Sequence, residues 1–456
     1  MPIKAILPDN HHAERLYAAE ILLKEFLGLS IEVSFSDNTH YLLELENGER
    51  LVIEDHFFNN FRENKGYLNR QNIPGKVAFQ EKSSNPFIPE NDIPIIFGSK
   101  KMEISNTEIT CGIDIFASAF FMLTRWEEFT FEARDTFGRF PAKASLAFLA
   151  GFLHRPVVNE YVEMLWNMLQ QLGIEQVRKK HKFRLLLTHD VDYPLLWTSP
   201  SFFLKKVGGD ALKRNSLTEA VFSVRSFIST LLGKQKDPYD NFDFLMHVAE
   251  QANVPAHFFF MTGGKSKLDP QYDIGSDFVK KLIAEIQKRG HRIGIHPSFD
   301  SFDNEEMFLS EKSQLEAVSP QPIISGRQHF LRFSVPVTWR VWENNGMEWD
   351  STMGYPEKEG FRCGVCYPFP IFDVAERKKF SLIEYPLIVM EGSLRVYQNN
   401  NPKVMKEKIR QMISTVKKYE GTFTFLWHNS AFNIPQYLPF QHIYEEIVRE
   451  AASLQA

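Results

Sequence analysis

Cysteine is nearly absent from this 456-residue sequence: only Cys111, Cys363 and Cys366 occur. So sparse and odd a set excludes the disulfide framework of small secreted domains and predicts a reducing compartment. No apolar run reaches the roughly 18 residues that a membrane-spanning helix needs. The amino terminus, MPIKAILPDNHHAERLYAAE, lacks the basic stretch followed by an apolar stretch that marks a secretory leader. The expectation is a cytoplasmic protein without membrane insertion. Charge of either sign is also scarce in net, −5 with a pI near 6.3. That gives no global attraction for nucleic acid and leaves room only for a local basic patch. Phenylalanine, by contrast, is abundant at 41 residues in a chain 43% hydrophobic and 24% charged. Such a composition builds aromatic-rich globular cores and excludes a disordered chain.

The pattern changes at the polar, basic stretch GIEQVRKKHK, 173–182. Before it, residues 12–28 have helical spacing that ends at Gly28, and HYLLELENGERLVIEDHFF reads as two strands joined at Asn47-Gly48. DIFASAFFMLTRWEEF and PVVNEYVEMLWNMLQQL read as helices, the second with Pro156 at its start. This predicts a smaller α+β domain over 1–178 with no catalytic spacing. From 183 onward seven strand signals alternate with helices, from FRLLLTHD to TFTFLWHNS. Alternation of this kind implies right-handed crossovers and parallel pairing, so 179–456 is expected to form an α/β domain, closed or nearly closed as a barrel. An irregular stretch, 195–240, interrupts it after the first strand and predicts a lid or specificity insertion.

The strand ends carry the unusual residues. In LLLTHDVDYP, 185–194, an apolar run stops at Asp190 and Asp192; His296 ends the third predicted strand, Arg327 and His329 the fourth, Asp350 the fifth and His428 the seventh. One such residue is usually a cap or a satisfied core group. Charge converging at one half-buried mouth is costly unless it is paired or bound to metal. Asp with two His is a frequent ligand set for a catalytic divalent ion. A second carboxylate can then act as general base and a further His as general acid. The inventory suits metal-assisted hydrolysis of an ester or amide. Other features read more plainly. His189 points away from its neighbours along the strand, Cys363-Gly-Val-Cys366 lacks a second pair for structural zinc, and DPYD, 237–240, reads as the cap of a helix near Phe242. Trp197, Phe202, Phe203 and Trp427 suit either a sugar face or a core.

Thr188-His189-Asp190-Val191-Asp192, GHRIGIHPSFD (290–300), RQHF (327–330), DST (350–352) and Leu426-Trp427-His428 follow one another in order. Together they resemble the five motifs of the polysaccharide deacetylase (NodB-homology, carbohydrate esterase) family, over residues 180–456. The resemblance implies a distorted (β/α)7 barrel. It implies Asp190 as catalytic base, oriented and kept ionised by Arg327, Asp192 and His296 as metal ligands, His428 as general acid, and Asp350 in the catalytic set. A divalent metal is implied, zinc first, with Co, Ni, Mn or Fe as alternatives. Asp300 stands where the second motif has its second His, and His329 lies inside the third motif; either would be the third ligand, with His329 preferred. Asn429 follows His428 where the family commonly has Asp. Trp427, Phe330 and Leu331 would contact substrate, with a backbone N–H near Phe330 or Leu331 facing the oxyanion. Residues 1–175 resemble an uncharacterised domain that precedes deacetylase-like barrels in some bacterial proteins. The implied activity is removal of an acyl group, most readily N-acetyl, from an amino sugar of a bacterial glycan or precursor. Two other readings compete. One is a non-catalytic glycan-binding barrel, motivated by the altered second and fifth motifs. The other is a metal-dependent glycosyltransferase using Asp190-Val191-Asp192 as its D-x-D, which leaves Arg327 and His428 without roles.

Overall fold

The computed structural model describes residues 2–62, 64–213, 215–270 and 272–455. Along the chain the strands are β1 (Ile3–Pro8), β2 (Ile31–Ser36), β3 (His40–Glu44), β4 (Arg50–Glu54), β5 (Ala78–Glu81), β6 (Asp92–Ile95), β7 (Gly98–Ile104) and β8 (Glu108–Ile113). Then follow β9 (Arg184–Val191), β10 (Ala256–Phe260), β11 (Arg292–Ile295), β12 (Ser325–Gly326), β13 (Trp349–Asp350), β14 (Phe369–Asp373), β15 (Lys378–Glu384), β16 (Val389–Met390) and β17 (Thr422–Leu426). Helices separate most of them, giving a mixed α/β protein. Among the described residues no helix is long and apolar enough to cross a membrane.

Two compact units result: Met1–Phe183 with Leu331–Ile388 and Thr415–Thr422, and Arg184–Phe330 with Val389–Ser414 and Phe423–Ala456. The linear division at 178/179 lies close to the first break, but the first unit also draws in 331–388. Three contacts show why: Arg377 pairs with Glu14 at 2.7 Å, the Tyr17 hydroxyl donates to the Pro370 carbonyl at 2.8 Å, and Arg362 pairs with Glu128 at 2.5 Å.

In the first unit a six-stranded sheet runs β2-β1-β3-β4-β8-β7. The Asn47-Gly48 turn joins β3 to β4 in antiparallel register, as its sequence predicts, with Gly48 at φ 83°. The very apolar helix splits at Arg125, whose φ of 52° ends Ile115–Thr124 and starts Trp126–Thr130. β14 has no counterpart in the sequence reading; it lies antiparallel to β15, which is parallel to β13. The expected single strand SLIEYPLIVM is in fact two, β15 in the first unit and β16 in the second, divided around Pro386. The residue before a proline is restricted and the proline lacks an N–H, so a continuous ladder stops there.

In the second unit the order is β12-β11-β10-β9-β17-β16, with β9–β10, β10–β11, β11–β12 and β16–β17 parallel. Phe258, Phe259 and Phe260 of β10 are all buried, as a strand covered on both faces requires. Gly294 and Gly326 allow close approach here. A Cβ at Gly294 would lie 2.5 Å from the Ser325 carbonyl oxygen and 2.6 Å from the Phe259 ring, and one at Gly326 would overlap the Ile295 carbonyl. Parallel strands carry their carboxyl ends to one rim, where Asp190, Asp192, His296, Arg327 and His428 arrive. The insertion, expected to be irregular, is largely helical: Pro200–Gly208 and Leu217–Leu231.

Candidate metal and catalytic site

Strand alternation sorts the HDVD segment. Thr188 and Asp190 share one face of β9, and Arg327, just past β12, donates from Nη1 to both, at 3.0 Å and 2.8 Å. Its guanidinium lies 5.2 Å from the Phe259 ring centre and is fully buried. His189 takes the opposite face. Its Nδ1 meets the Trp427 carbonyl at 2.6 Å and its Nε2 the Tyr444 hydroxyl at 3.3 Å, and burial pushes its imidazole down to about 4. A neutral, packed His189 is structural.

Asp192, His296 and His329 bring one potential ligand atom each to within 4.8 Å of one another. Asp192 Oδ1 is 3.3 Å from His296 Nε2 and 3.8 Å from His329 Nε2. The second ring nitrogens fix which atoms point inward. His296 Nδ1 lies 2.6 Å from the Arg327 carbonyl, and His329 Nδ1 lies 3.2 Å from Asp269 Oδ1. Carbonyl and carboxylate oxygens only accept, so each Nδ1 carries the proton and each Nε2 presents a lone pair. Asp269 is itself set by the backbone N–H groups of Phe299 (2.8 Å) and Ser266 (3.1 Å). Asp192 Oδ1 is buried and has no hydrogen-bond partner among the described residues. Burial pushes the Asp192 carboxyl up, but the facing imidazoles of His296, His329 and His428 outweigh it and hold it well below the usual carboxylate range. An orphaned buried carboxylate oxygen beside two inward lone pairs fits a divalent cation of the zinc class.

His428 closes the other side, with Nε2 3.9 Å from Asp192 Oδ2 and Nδ1 2.7 Å from Glu391 Oε1. Burial disfavours its charged form, but Glu391, Asp192 and Asp190 prevail and raise it to about 10. Asn429, in the place where a partner Asp was expected, instead donates to the Tyr193 and Tyr239 carbonyls at 2.8 and 3.0 Å. Glu391 therefore orients His428, from the residue after β16.

Below the site Glu311 accepts from the Ser298 N–H at 2.8 Å and from the Ser298 hydroxyl. Burial, helped by the charge of Asp269, raises its carboxyl to about 7 against these hydrogen bonds. A carboxyl raised on folding contributes stability that is fully present below its unfolded value, near 4.5, and is lost as pH rises through 7. Glu311→Gln is therefore expected to flatten the fall in stability between pH 5 and 8 by on the order of 2 kcal/mol. Denaturant titrations at the two pH values check this; an unchanged slope would show that Glu311 ionises freely in the folded protein.

The structure thus gathers Asp190, Asp192, His296, Arg327, His329 and His428 in one unit. Asp300 is exposed and stands outside the ligand group, because the chain turns at Ser298, whose carbonyl accepts from the Ser301 N–H at 3.1 Å. Asp350 belongs to the first unit, where the Thr352 hydroxyl donates to it at 2.5 Å and Glu384 is its acidic neighbour. Trp427, expected at the substrate, is fully buried against Phe425, Phe432 and Tyr444, so its ring is core. Phe330, half-buried beside His329, and Leu331, buried, both have left-handed backbones, with φ 60° and 53°. Trp197 and Phe203 pack with Phe227 inside the insertion. Asp237 caps no helix; it accepts from the N–H groups of Leu196 and Trp197 at 2.7 and 2.8 Å and ties the insertion's ends. The cysteines are buried and free. Asp269 and Glu391 were missed. Glu391 follows the apolar PLIVM and was open to the same strand-end logic; Asp269 sits in a loop with no periodic signal.

Residues 4–174 match the model of a family of unknown function, DUF7033. No curated protein matches the chain. Among solved structures the chain is similar to one from Mycobacterium smegmatis described as a polysaccharide deacetylase (14% identity, TM-score 0.39, covering 60% of this chain and 85% of that one). It is also similar to the chitin deacetylase of the fungal pathogen Colletotrichum lindemuthianum (10% identity, TM-score 0.30, 60% and 84%). A third likeness is to a CE4 family pseudoenzyme from Bacillus anthracis (8% identity, TM-score 0.30), of which this chain spans 61% with 60% of its own length. Values this low leave the chemistry to be read from the side chains.

Proposed function

We propose that the protein is a metal-dependent hydrolase that removes an acyl group, N-acetyl foremost, from an amino sugar of a bacterial glycan or glycan precursor, on a (β/α) barrel-like scaffold of the deacetylase kind. One observation carries this reading: a half-buried Asp192 with the buried His296 and His329 forms a group flanked by an Arg-held carboxylate on one side and a carboxylate-held imidazole on the other. Asp192 Oδ1 and the two Nε2 atoms would hold the cation. When bound, the ion would supply Lewis acidity toward a carbonyl and bring the pKa of water toward 7. Asp190, held by Arg327, is the carboxylate that takes a proton from the attacking water. His428, protonated near neutral pH and fixed by Glu391, gives a proton to the departing amine. Buried Arg327 and the packed strands keep the geometry constant between these steps.

Metal analysis and acetate release test the reading together. The purified chain is expected to hold close to one divalent ion per molecule and to release acetate from N-acetylated amino-sugar oligomers. Asp192→Ala and His329→Ala should lose the metal, and Asp300→Ala should keep it. Metal without turnover on any such glycan would point to a binding role, and tight nucleotide-sugar binding to a glycosyltransferase.

A further inference from the structure

The insertion after β9 packs the Trp197, Phe203 and Phe227 rings together with small and polar side chains inside, and leaves large aliphatic ones outside. Helix Leu217–Leu231 buries Ala220, Ser223 and Ser226, small or polar residues, against the rest of the unit. Its large aliphatic side chains face solvent: Leu217 is 77% exposed, Val221 48%, Ile228 48% and Leu231 74%. At 3.6 residues per turn these four fall within about 80° of the helix circumference, so they form one stripe rather than scattered exposures. The preceding segment adds Leu204 at 69% and Leu212 at 85%. The polar interior is satisfied internally. Ser223 donates to Asp210 at 2.7 Å, Lys206 pairs with Asp210 at 3.2 Å, and the Trp197 indole donates to Ser226 at 3.1 Å. The orientation is thus fixed by hydrogen bonds that a flipped helix would break.

Charge says what covers the stripe. Residues 200–236 carry seven Lys or Arg against Asp210 and Glu219, in a chain whose net charge is −5. Asp210 is turned inward with Lys206, while Lys205, Arg225, Lys234 and Lys236 are exposed, so among the described residues the outer surface of the hairpin is cationic. Aliphatic stripes flanked by Lys and Arg are what a helix lying in a membrane interface presents, whereas protein interfaces favour aromatic side chains and are poor in Lys. A cavity of about 560 Å³, lined by Tyr193, Phe202, Lys205, Lys206, Leu212 and Tyr239, reaches from the residue after Asp192 to this hairpin. We propose that the 200–236 hairpin docks the protein peripherally on an anionic lipid bilayer, with the Leu217–Leu231 stripe in the headgroup region and the candidate site beside the lipid surface. The docking itself stands independently of the hydrolase reading, because it rests on the exposure, orientation and charge of the hairpin and on no residue of the candidate site.

Flotation of the full chain with vesicles tests it. Partition onto equimolar phosphatidylglycerol and phosphatidylcholine vesicles is expected to exceed that onto phosphatidylcholine alone by roughly tenfold, and to fall as salt is raised. Val221→Glu with Ile228→Glu should remove binding, while thermal melting and metal content stay as in the parent. Lys205→Gln with Lys234→Gln should weaken binding to anionic vesicles severalfold without altering melting. Absence of binding to either vesicle type overturns the proposal, as does binding indifferent to both double variants. It is equally overturned if light scattering shows a concentration-dependent dimer that Val221→Glu with Ile228→Glu abolishes, for then a second copy covers the stripe.

Discussion

Asp190→Asn is expected to cut turnover by about a thousandfold or more while leaving metal content nearly unchanged, since general-base catalysis contributes roughly 10²–10⁴. The separation follows from geometry. Asp190 spends Oδ1 on Arg327 at 2.8 Å and keeps Oδ2 3.8 Å from His296 Nε2, whereas the ligand atoms come from Asp192, His296 and His329. Asparagine at 190 still offers an oxygen to Arg327, and Thr188 remains a second acceptor at 3.0 Å, so the buried guanidinium stays hydrogen-bonded. It loses its counter-charge, and melting should be followed to separate lost chemistry from lost folding. Elemental analysis beside acetate release decides the matter: metal disappearing together with activity would mean that Asp190 binds the ion and Asp192 does not.

Much of this arrangement is legible in the sequence, for a reason specific to parallel sheets. A continuous apolar run ending in charge places that charge at a rim, and several such runs in parallel share the rim. Asp190, Asp192, His296, Arg327, His329 and His428 obey this logic. Asp350 shows its limit: it also ends a strand, β13, but spacing along the chain does not say which compact unit a strand joins. Trp427 shows another, because a large ring next to a functional residue alternates into the core as readily as toward solvent. Asp269, which fixes the imidazole of His329, is visible only through contacts, since a loop residue carries no period to detect, whereas Glu391, which fixes His428, follows an apolar run and is open to the strand-end logic. The hairpin was the reverse case. The sequence reads there as an irregular insertion, and only the structure shows its helices and the aliphatic face they leave outside.

Arg362→Met is expected to destabilise the first unit by about 3–5 kcal/mol, the cost of leaving a buried carboxylate without its partner. Arg362 reaches Glu128 through Nε at 2.9 Å and Nη2 at 2.5 Å, and spends Nη1 on the Gly354 carbonyl at 2.8 Å. Glu128 also accepts from Arg125 at 2.8 Å, but Arg125 serves Glu127 at 2.5 Å as well and has the Tyr355 hydroxyl at 3.1 Å. Removing Arg362 leaves two buried carboxylates to one guanidinium. In the parent, burial pushes the Glu128 carboxyl up and the two guanidinium groups outweigh it, holding it below the ordinary value. A depressed carboxyl contributes stability above its unfolded value and loses it as pH falls through the folded one. In the variant that preference reverses, because burial remains and half the opposing charge is gone. The destabilisation measured at pH 8 should therefore exceed that at pH 5. Adding Glu128→Gln should recover part of the loss, since the uncompensated charge goes with it. Denaturant titrations of the two single variants and the double at both pH values measure this coupling. Strictly additive losses, equal at the two pH values, would mean that Arg362 acts through packing over Tyr355, 4.9 Å from its guanidinium, and not through its charge.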